Sequence, residues 1–148
     1  MVTDYKRPES VLVVIHTADL QILLLERAKH PGYWQSVTGS REQDESFSDT
    51  ACREVAEETG VTVQAAQLRV WPGENIYEIM PEWRHRYAPD VTHNRERVFS
   101  LCLPSACDVM LSPSEHRAWQ WLPAQEAAEA CFSASNQDAI LALKKHFS

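Results

Sequence analysis

The sequence predicts an α/β domain built on one mixed sheet with helices covering both faces. Three observations carry that expectation. Short β-rich runs recur along the chain, two segments place apolar residues at helical spacing, and the two kinds are interleaved. Ser10 to His16 is an apolar β-rich run and Ile22 to Arg27 a second, with polar Thr17 to Leu20 between them as a hairpin turn. Lys29-His30-Pro31-Gly32 breaks the chain, and Tyr33 to Thr38 resumes extended structure. Gly39 to Asp44 is polar and reads as a loop. Ser46 to Thr59 reads as a helix, capped by Asp44 or Ser46 and stopped by Gly60, with Phe47, Ala51 and Val55 as its buried stripe. Val61 to Val63 and Leu68 to Trp71 are expected as short strands. Asn75 to Met80 and Val98 to Leu103 follow as strands, separated by a polar, Arg-rich connection. Ala118 to Leu122 is a last strand, and Pro123 opens a helix through about Ala130. Ser135 or Asn136 caps a terminal helix whose apolar face is Ala139, Ile140, Leu143 and Phe147. No repeat, low-complexity tract or linker interrupts residues 1–148, so they are expected to form a single domain.

The 148 residues suffice for one core, and 44% apolar with 24% charged residues suits a globular protein. No apolar run is long enough to span a bilayer, and the N-terminus lacks a signal-peptide pattern, so no membrane partner is expected. Four cysteines without CxxC or zinc-type spacing read as buried free thiols, which suits a cytoplasmic protein. The net charge of −7 argues against a nucleic-acid partner. Charge is unevenly placed, however. Residues 39–61 hold seven acids (Glu42, Asp44, Glu45, Asp49, Glu54, Glu57, Glu58) against Arg41 and Arg53. Residues 84–97 hold Arg84, Arg86, Arg95 and Arg97 against Asp90 and Glu96. The first stretch suits cations and the second anions, either as a docking surface or as a mobile basic loop. Oligomeric state is left open.

The chemistry concentrates on the predicted first helix. At about 100° per residue, with Arg53 as zero, Glu57 falls at about 40°, Glu54 at about 100° and Glu58 at about 140°. The apolar stripe lies beside them, so the acids occupy the rim of the buried face. Like charges at i,i+4 repel, and more so near a core unless protons or metal ions neutralise them. Oxygen-only ligands favour Mg²⁺, with Mn²⁺ able to substitute, over zinc. A solvated acidic face steadied by Asp49–Arg53 and Arg53–Glu57 pairs is the bland alternative.

The surrounding pattern decides between them. Gly39, five residues, Glu45, seven residues, then Arg53-Glu54-Val55-Ala56-Glu57-Glu58-Thr59-Gly60-Val61 is similar to the Nudix box at every defining position. The resemblance implies a Nudix-type α/β/α sandwich with a mixed central sheet and this helix presenting glutamates to divalent metal. By that match Glu54 and Glu58 are the first metal ligands and Glu57 stands close behind. Arg53 and Glu45 orient the glutamates by pairing. The distant loop supplies Glu115 as a further ligand or general base, with a turn-capping surface glutamate as its bland reading, while His116 beside it reads as structural. The implied activity is a pyrophosphohydrolase using metal-activated water on a small-molecule triphosphate.

Further motifs, Tyr5-Lys6-Arg7-Pro8, Trp34-Gln35-Ser36-Val37-Thr38-Gly39-Ser40, Arg84-His85-Arg86-Tyr87-Ala88-Pro89 and Glu115-His116 ahead of Trp121-Leu122, resemble a bacterial branch of that family acting in folate synthesis. That resemblance implies dihydroneopterin triphosphate as substrate, split to the monophosphate and pyrophosphate. Nucleotide-pool cleansing of ordinary or damaged nucleoside triphosphates is the alternative reaction. A non-catalytic nucleotide-binding module is the alternative class, but it would be expected to lose box glutamates, and this chain keeps all four.

Lys6 and Arg27 meet phosphates if the first two strands flank the box loop, although a solvated strand-end arginine is the bland reading of Arg27. Thr38 positions phosphate or the head group through its hydroxyl or backbone. The ring system is expected to bond to strand backbone at Tyr77, Glu78, Ile79 and Met80, with Ser133 and Asn136 as further polar contacts and Trp34 at the site's border, although a packed core position is the more frequent role of a tryptophan.

Overall fold

The computed structural model describes residues 5–147, with side chains through residue 145. Eight strands and three helices follow one another: β1 (Glu9–His16), β2 (Gln21–Arg27), β3 (Trp34–Gln35), β4 (Val37–Ser40), α1 (Phe47–Thr59), β5 (Leu68–Val70), β6 (Asn75–Glu78), β7 (His93–Cys102), β8 (His116–Pro123), α2 (Ala124–Ala130) and α3 (Ala134–Phe147).

All eight strands share one mixed sheet organised around β1. On one side β1 runs parallel to β7 from Glu9↔Arg95 to His16↔Cys102. On the other, its first half pairs antiparallel with β4, Ser10↔Ser40 to Val13↔Val37, and only its end meets β2 at His16↔Ile22. β2 turns away to pair along its length with β8, so the sheet opens between β1 and β2 and β4 fills the gap. That opening is where the box loop leaves β4 for α1.

Val11 to Ile15 is apolar at every position because both faces of β1 are covered. Val11, Val13, Ile15, Leu23, Leu25, Phe99 and Leu101 pack against Ala51 and Val55 of α1. Leu12, Val14, Ile22, Leu24 and Val98 pack on the opposite face against Ala127 and Ala128 of α2 and Ala139, Ile140 and Leu143 of α3. The expected α/β/α sandwich is therefore present. The side chain of Phe147, expected on the α3 face, lies outside the described ones.

Ser46 caps α1: its side chain accepts from the Asp49 N–H, and the Asp49 carboxylate accepts in return from the Ser46 N–H. Gly60 closes the helix at φ 77°, a left-handed conformation that glycine adopts without strain.

Several boundaries differ from the sequence expectation. Gly39 and Ser40 belong to β4, because β1 supplies a pairing partner the local polarity does not reveal. Val61 to Val63 forms no strand; Val63 is buried in the core, but β-propensity without a neighbouring strand makes no ladder. β7 begins at His93 rather than Val98, its polar start held between β1 and β6. The Arg-rich connection thereby shortens to a 3₁₀ helix, Pro81–Arg86, and a turn. At α3 the cap is Ser133, whose hydroxyl accepts from the Asn136 N–H at 3.3 Å. All four thiols are free, but only Cys131 is buried; Cys52 and Cys107 are half-buried and Cys102 is exposed. Among the described residues, no helix is long and apolar enough to cross a membrane.

Candidate active site

The rim of α1 turns toward β4, and two acids from it are buried there. Glu54 is 7% exposed and Glu58 2%. The Glu54 carboxylate occupies the space beside Gly39, where a Cβ would stand 1.6 Å from its Oε2. Glu58 shares a hydrogen bond with Glu54 and lies near the Thr38 N–H, whose pull partly offsets the upward shift of its carboxyl. Burial pushes Glu54 up to about 7 against the pull of Arg53, and burial with the Glu54 charge pushes Glu58 well above the carboxylate range. A proton shared between the two carboxylates removes the repulsion when no cation is present.

Oε1 of Glu58 has no hydrogen-bond partner, and neither has Nδ1 of buried His116, 3.9 Å away. On the far side of that imidazole, Gln35 Nε2 lies 3.2 Å from His116 Nε2. The amide nitrogen can only donate, so His116 Nε2 accepts and its Nδ1 carries the proton, facing Glu58. Burial, reinforced by Arg27, lowers His116 to about 4 and keeps it neutral near pH 7.

Arg53 ties the box together. Its Nε donates to Glu45 at 2.6 Å, its Nη2 to Glu45 and to the Ser40 carbonyl, each at 3.0 Å, and its Nη1 to Glu57 at 3.2 Å. The bidentate guanidinium holds Glu45 down at about 2, so this pair stays ionised beside acids that do not. Arg53 and Glu45 thus form the pair that the sequence suggests.

Cations face these acids. Lys6 is lowered to about 8 by burial and Arg86, opposed by the nearby charges of Glu54 and Glu115. Arg27 is likewise lowered by burial and by Arg86, and feels Glu58 and Glu115. The Lys6 N–H donates to the Arg86 carbonyl at 2.9 Å, and the Ala28 N–H to the Glu115 carbonyl at 2.9 Å, which fixes both segments at the mouth of the sheet. Glu54, Glu58, Glu115, Lys6, Arg27 and Arg86 are therefore close enough to perturb one another. Arg86 is itself exposed, and nothing in an Arg84-His85-Arg86 run says which residue's charge reaches Lys6 and Arg27.

Arg27 also lies over the Trp83 ring at 5.1 Å. Trp83 meets Phe132 edge-on, and Phe132 stacks on Tyr33 at 4.6 Å. These aromatics take the border position expected of Trp34, which instead packs on the α2/α3 core and bridges to Cys131.

Other expected residues are placed differently. The Glu57 side chain is 51% exposed and paired with Arg53 at 3.2 Å, yet near enough to Glu54 for its charge to raise that carboxyl. Among the described residues, no three His, Cys, Asp or Glu side chains close on one metal-holding point. The structure thus offers a two-carboxylate cradle with one free oxygen, which fits a hard divalent cation completing its shell with phosphate and water. The Thr38 hydroxyl donates to the Val11 carbonyl at 2.9 Å, and its backbone N–H lies near Glu58. Ser133 caps α3. Glu78 is exposed, the buried Ile79 donates its N–H to the Thr92 carbonyl, and the Met80 carbonyl accepts from Trp83. Tyr77 is the member of this run with a polar link inward, its hydroxyl accepting from Asn94 Nδ2 at 3.0 Å.

Comparison with known proteins agrees with this geometry. A model of the NUDIX domain matches residues 6–143. The chain is 45% identical over 139 residues to the dihydroneopterin triphosphate diphosphatase of Escherichia coli K12, covering 92% of this chain and 91% of that one. It is 38% identical over 143 residues to the enzyme of the same name from Haemophilus influenzae, covering 95% and 89%. The solved structure of the E. coli dihydroneopterin triphosphate pyrophosphohydrolase superposes with a TM-score of 0.85 at 44% identity, covering 93% of this chain and 95% of that one.

Proposed function

The chain belongs to the NUDIX family, and we propose that it hydrolyses dihydroneopterin triphosphate to dihydroneopterin monophosphate and pyrophosphate, with Mg²⁺ as cofactor and Mn²⁺ able to replace it. The observation that carries this reading is the buried Glu54–Glu58 pair facing Lys6, Arg27 and Arg86, in a chain 45% identical to a diphosphatase of that substrate. The same reading takes residues 1–148 as one domain working in the cytoplasm.

Glu54 and Glu58 would hold the cation, with Glu115 at its open side. A divalent ion there would polarise a bridging phosphate and make an attacking water more acidic. The protein's share is positioning and charge. Arg53 and Glu45 keep α1 and the box loop in register, and Thr38 and His116 aim Glu58. Lys6, Arg27 and Arg86 meet the triphosphate, whose charge compensates the desolvation of Lys6 and Arg27 and the repulsion of Arg86 on both. Glu115, whose charge Glu54 and Glu58 feel, would take the proton from water. Glu57, whose charge Glu54 feels and whose present partner is Arg53, would be the third carboxylate at the cation.

A pyrophosphate-release assay tests the reading, comparing dihydroneopterin triphosphate with GTP and ATP. Preference for the pterin in kcat/KM, lost with Glu54→Gln or Glu58→Gln, is the expected result. Equal rates on all three substrates would move the protein to nucleotide cleansing.

A further inference from the structure

On the sheet face opposite α1, strands β1, β6 and β7 and the start of α3 enclose a polar group that the phosphate chemistry does not use. Glu96 of β7 is 4% exposed, and among the described residues it forms no ion pair. It accepts from Asn75 Nδ2 at 3.2 Å, one of the roughly four acceptor positions a carboxylate offers, and lies near the Ser135 hydroxyl. Two residues earlier on the same face, Asn94 is 1% exposed. Its Nδ2 donates to Ser10 at 2.7 Å and to Tyr77, while its Oδ1 has no partner. A buried carboxylate without a cation, beside a buried carbonyl oxygen without a donor, is costly unless a ligand brings donors to both.

The group is continuous with the phosphate end. Lys6, which feels Glu54, carries its Nζ 5.8 Å from the Tyr87 ring. Tyr87 in turn lies close enough to Tyr77 to perturb its phenol. The Tyr77 hydroxyl is desolvated and pushed up to about 12, yet the residue is 39% exposed, so its ring stands at the mouth with half-buried Asn75 and Ser135.

We propose that Glu96 and Asn94 form the head-group subsite, accepting hydrogen bonds from the adjacent amine and ring N–H of a 2-amino-4-oxopyrimidine edge. Resting on the functional reading above, this names its specificity residues. A pterin presents that pair of donors, and so does guanine. Adenine presents an amine beside a lone-pair nitrogen, which would face the carboxylate and be rejected.

The test compares wild-type and Glu96→Gln enzymes on dihydroneopterin triphosphate and ATP. Replacing one carboxylate oxygen by an amide donor should lower the pterin-to-ATP ratio of kcat/KM by about 10- to 100-fold, mainly through KM for the pterin. A ratio unchanged within about threefold, with the variant folded by circular dichroism, would overturn the proposal. A wild-type measurement covers a misfolded variant: neopterin and guanosine, which lack phosphates, should inhibit ATP hydrolysis competitively, and adenosine should do so at least tenfold more weakly. Equal inhibition by adenosine would also overturn it. Wild-type enzyme that binds neopterin in a fluorescence titration but does not cleave the pterin triphosphate would overturn the functional reading and leave the subsite standing.

Discussion

A side chain on Gly39 would displace that of Glu54, since a Cβ on Gly39 would fall 1.6 Å from Glu54 Oε2 and 2.0 Å from its Cδ. The backbone at Gly39 needs no positive φ, so the glycine is there to leave room for a carboxylate rather than to make a turn. The clash falls on the end of a flexible side chain, which can swing away. Gly39→Ala is therefore expected to fold, with a stability loss of about 1–3 kcal/mol, because overpacking is partly relieved. Glu54 would be displaced from its partner Glu58. Mn²⁺ titration should show the affinity reduced by at least tenfold, and a variant that melts normally and binds metal normally would sink this account.

Gln35, His116 and Glu58 form a line in which only the last contact is open. Closing 3.9 Å to a hydrogen bond needs a small carboxylate shift of the kind a bound cation would draw. Partners behind a metal ligand typically contribute 10- to 100-fold in affinity, so His116→Phe should weaken Mn²⁺ binding by about that factor. Gln35→Leu should act in the same direction and less strongly, through the imidazole alone. Unchanged metal affinity in both would assign the line a packing role only.

The layer order, the helix with its acids, and the strand-end cations were legible because each rests on a local signal. Apolar runs mark β1 and β2, and the carboxylate spacing marks one rim of α1. What stayed hidden depends on partners distant in sequence. β4 gains Gly39 and Ser40 only through β1, and β7 gains its polar start only between β1 and β6. His116 read as structural because its link to Gln35 spans 81 residues. Glu96 looked like counter-charge for neighbouring arginines until its burial set it on the opposite face from Arg95 and Arg97. Glu57, though correctly placed on the helix, turns outward because Arg53 captures it.

Metal-free protein should lose stability as pH rises from about 6.5 to 8. Glu54 and Glu58 bind protons more tightly folded than unfolded, so the native state holds more protons above the ordinary carboxylate range and stability falls as they ionise. His116 works oppositely, because its depressed value makes stability rise with pH between about 4 and 6.5. Lys6 contributes a rise only above about 8. The window between is left to the carboxylates. Melting curves across it should decline without metal, and Mg²⁺ should remove the decline because binding needs the ionised pair. A flat metal-free profile would mean the pair is not protonated there.

Trp83 is expected to act on binding and not on the chemical step. Its ring lies under the Arg27 guanidinium at 5.1 Å and meets Phe132 and His30 edge-on, joining the 3₁₀ helix to the end of β2 and the α2–α3 link. Trp83→Ala frees Arg27 from a cation–π contact of about 0.5–1 kcal/mol, equivalent to roughly two- to fivefold in a binding constant. KM for the triphosphate should rise by about that factor, with kcat held within twofold because Glu54, Glu58 and Arg53 have no contact with the indole. A fall in kcat with KM unchanged would show instead that the aromatic cluster aligns the reacting phosphate, since an interaction made only in the transition state leaves ground-state binding untouched.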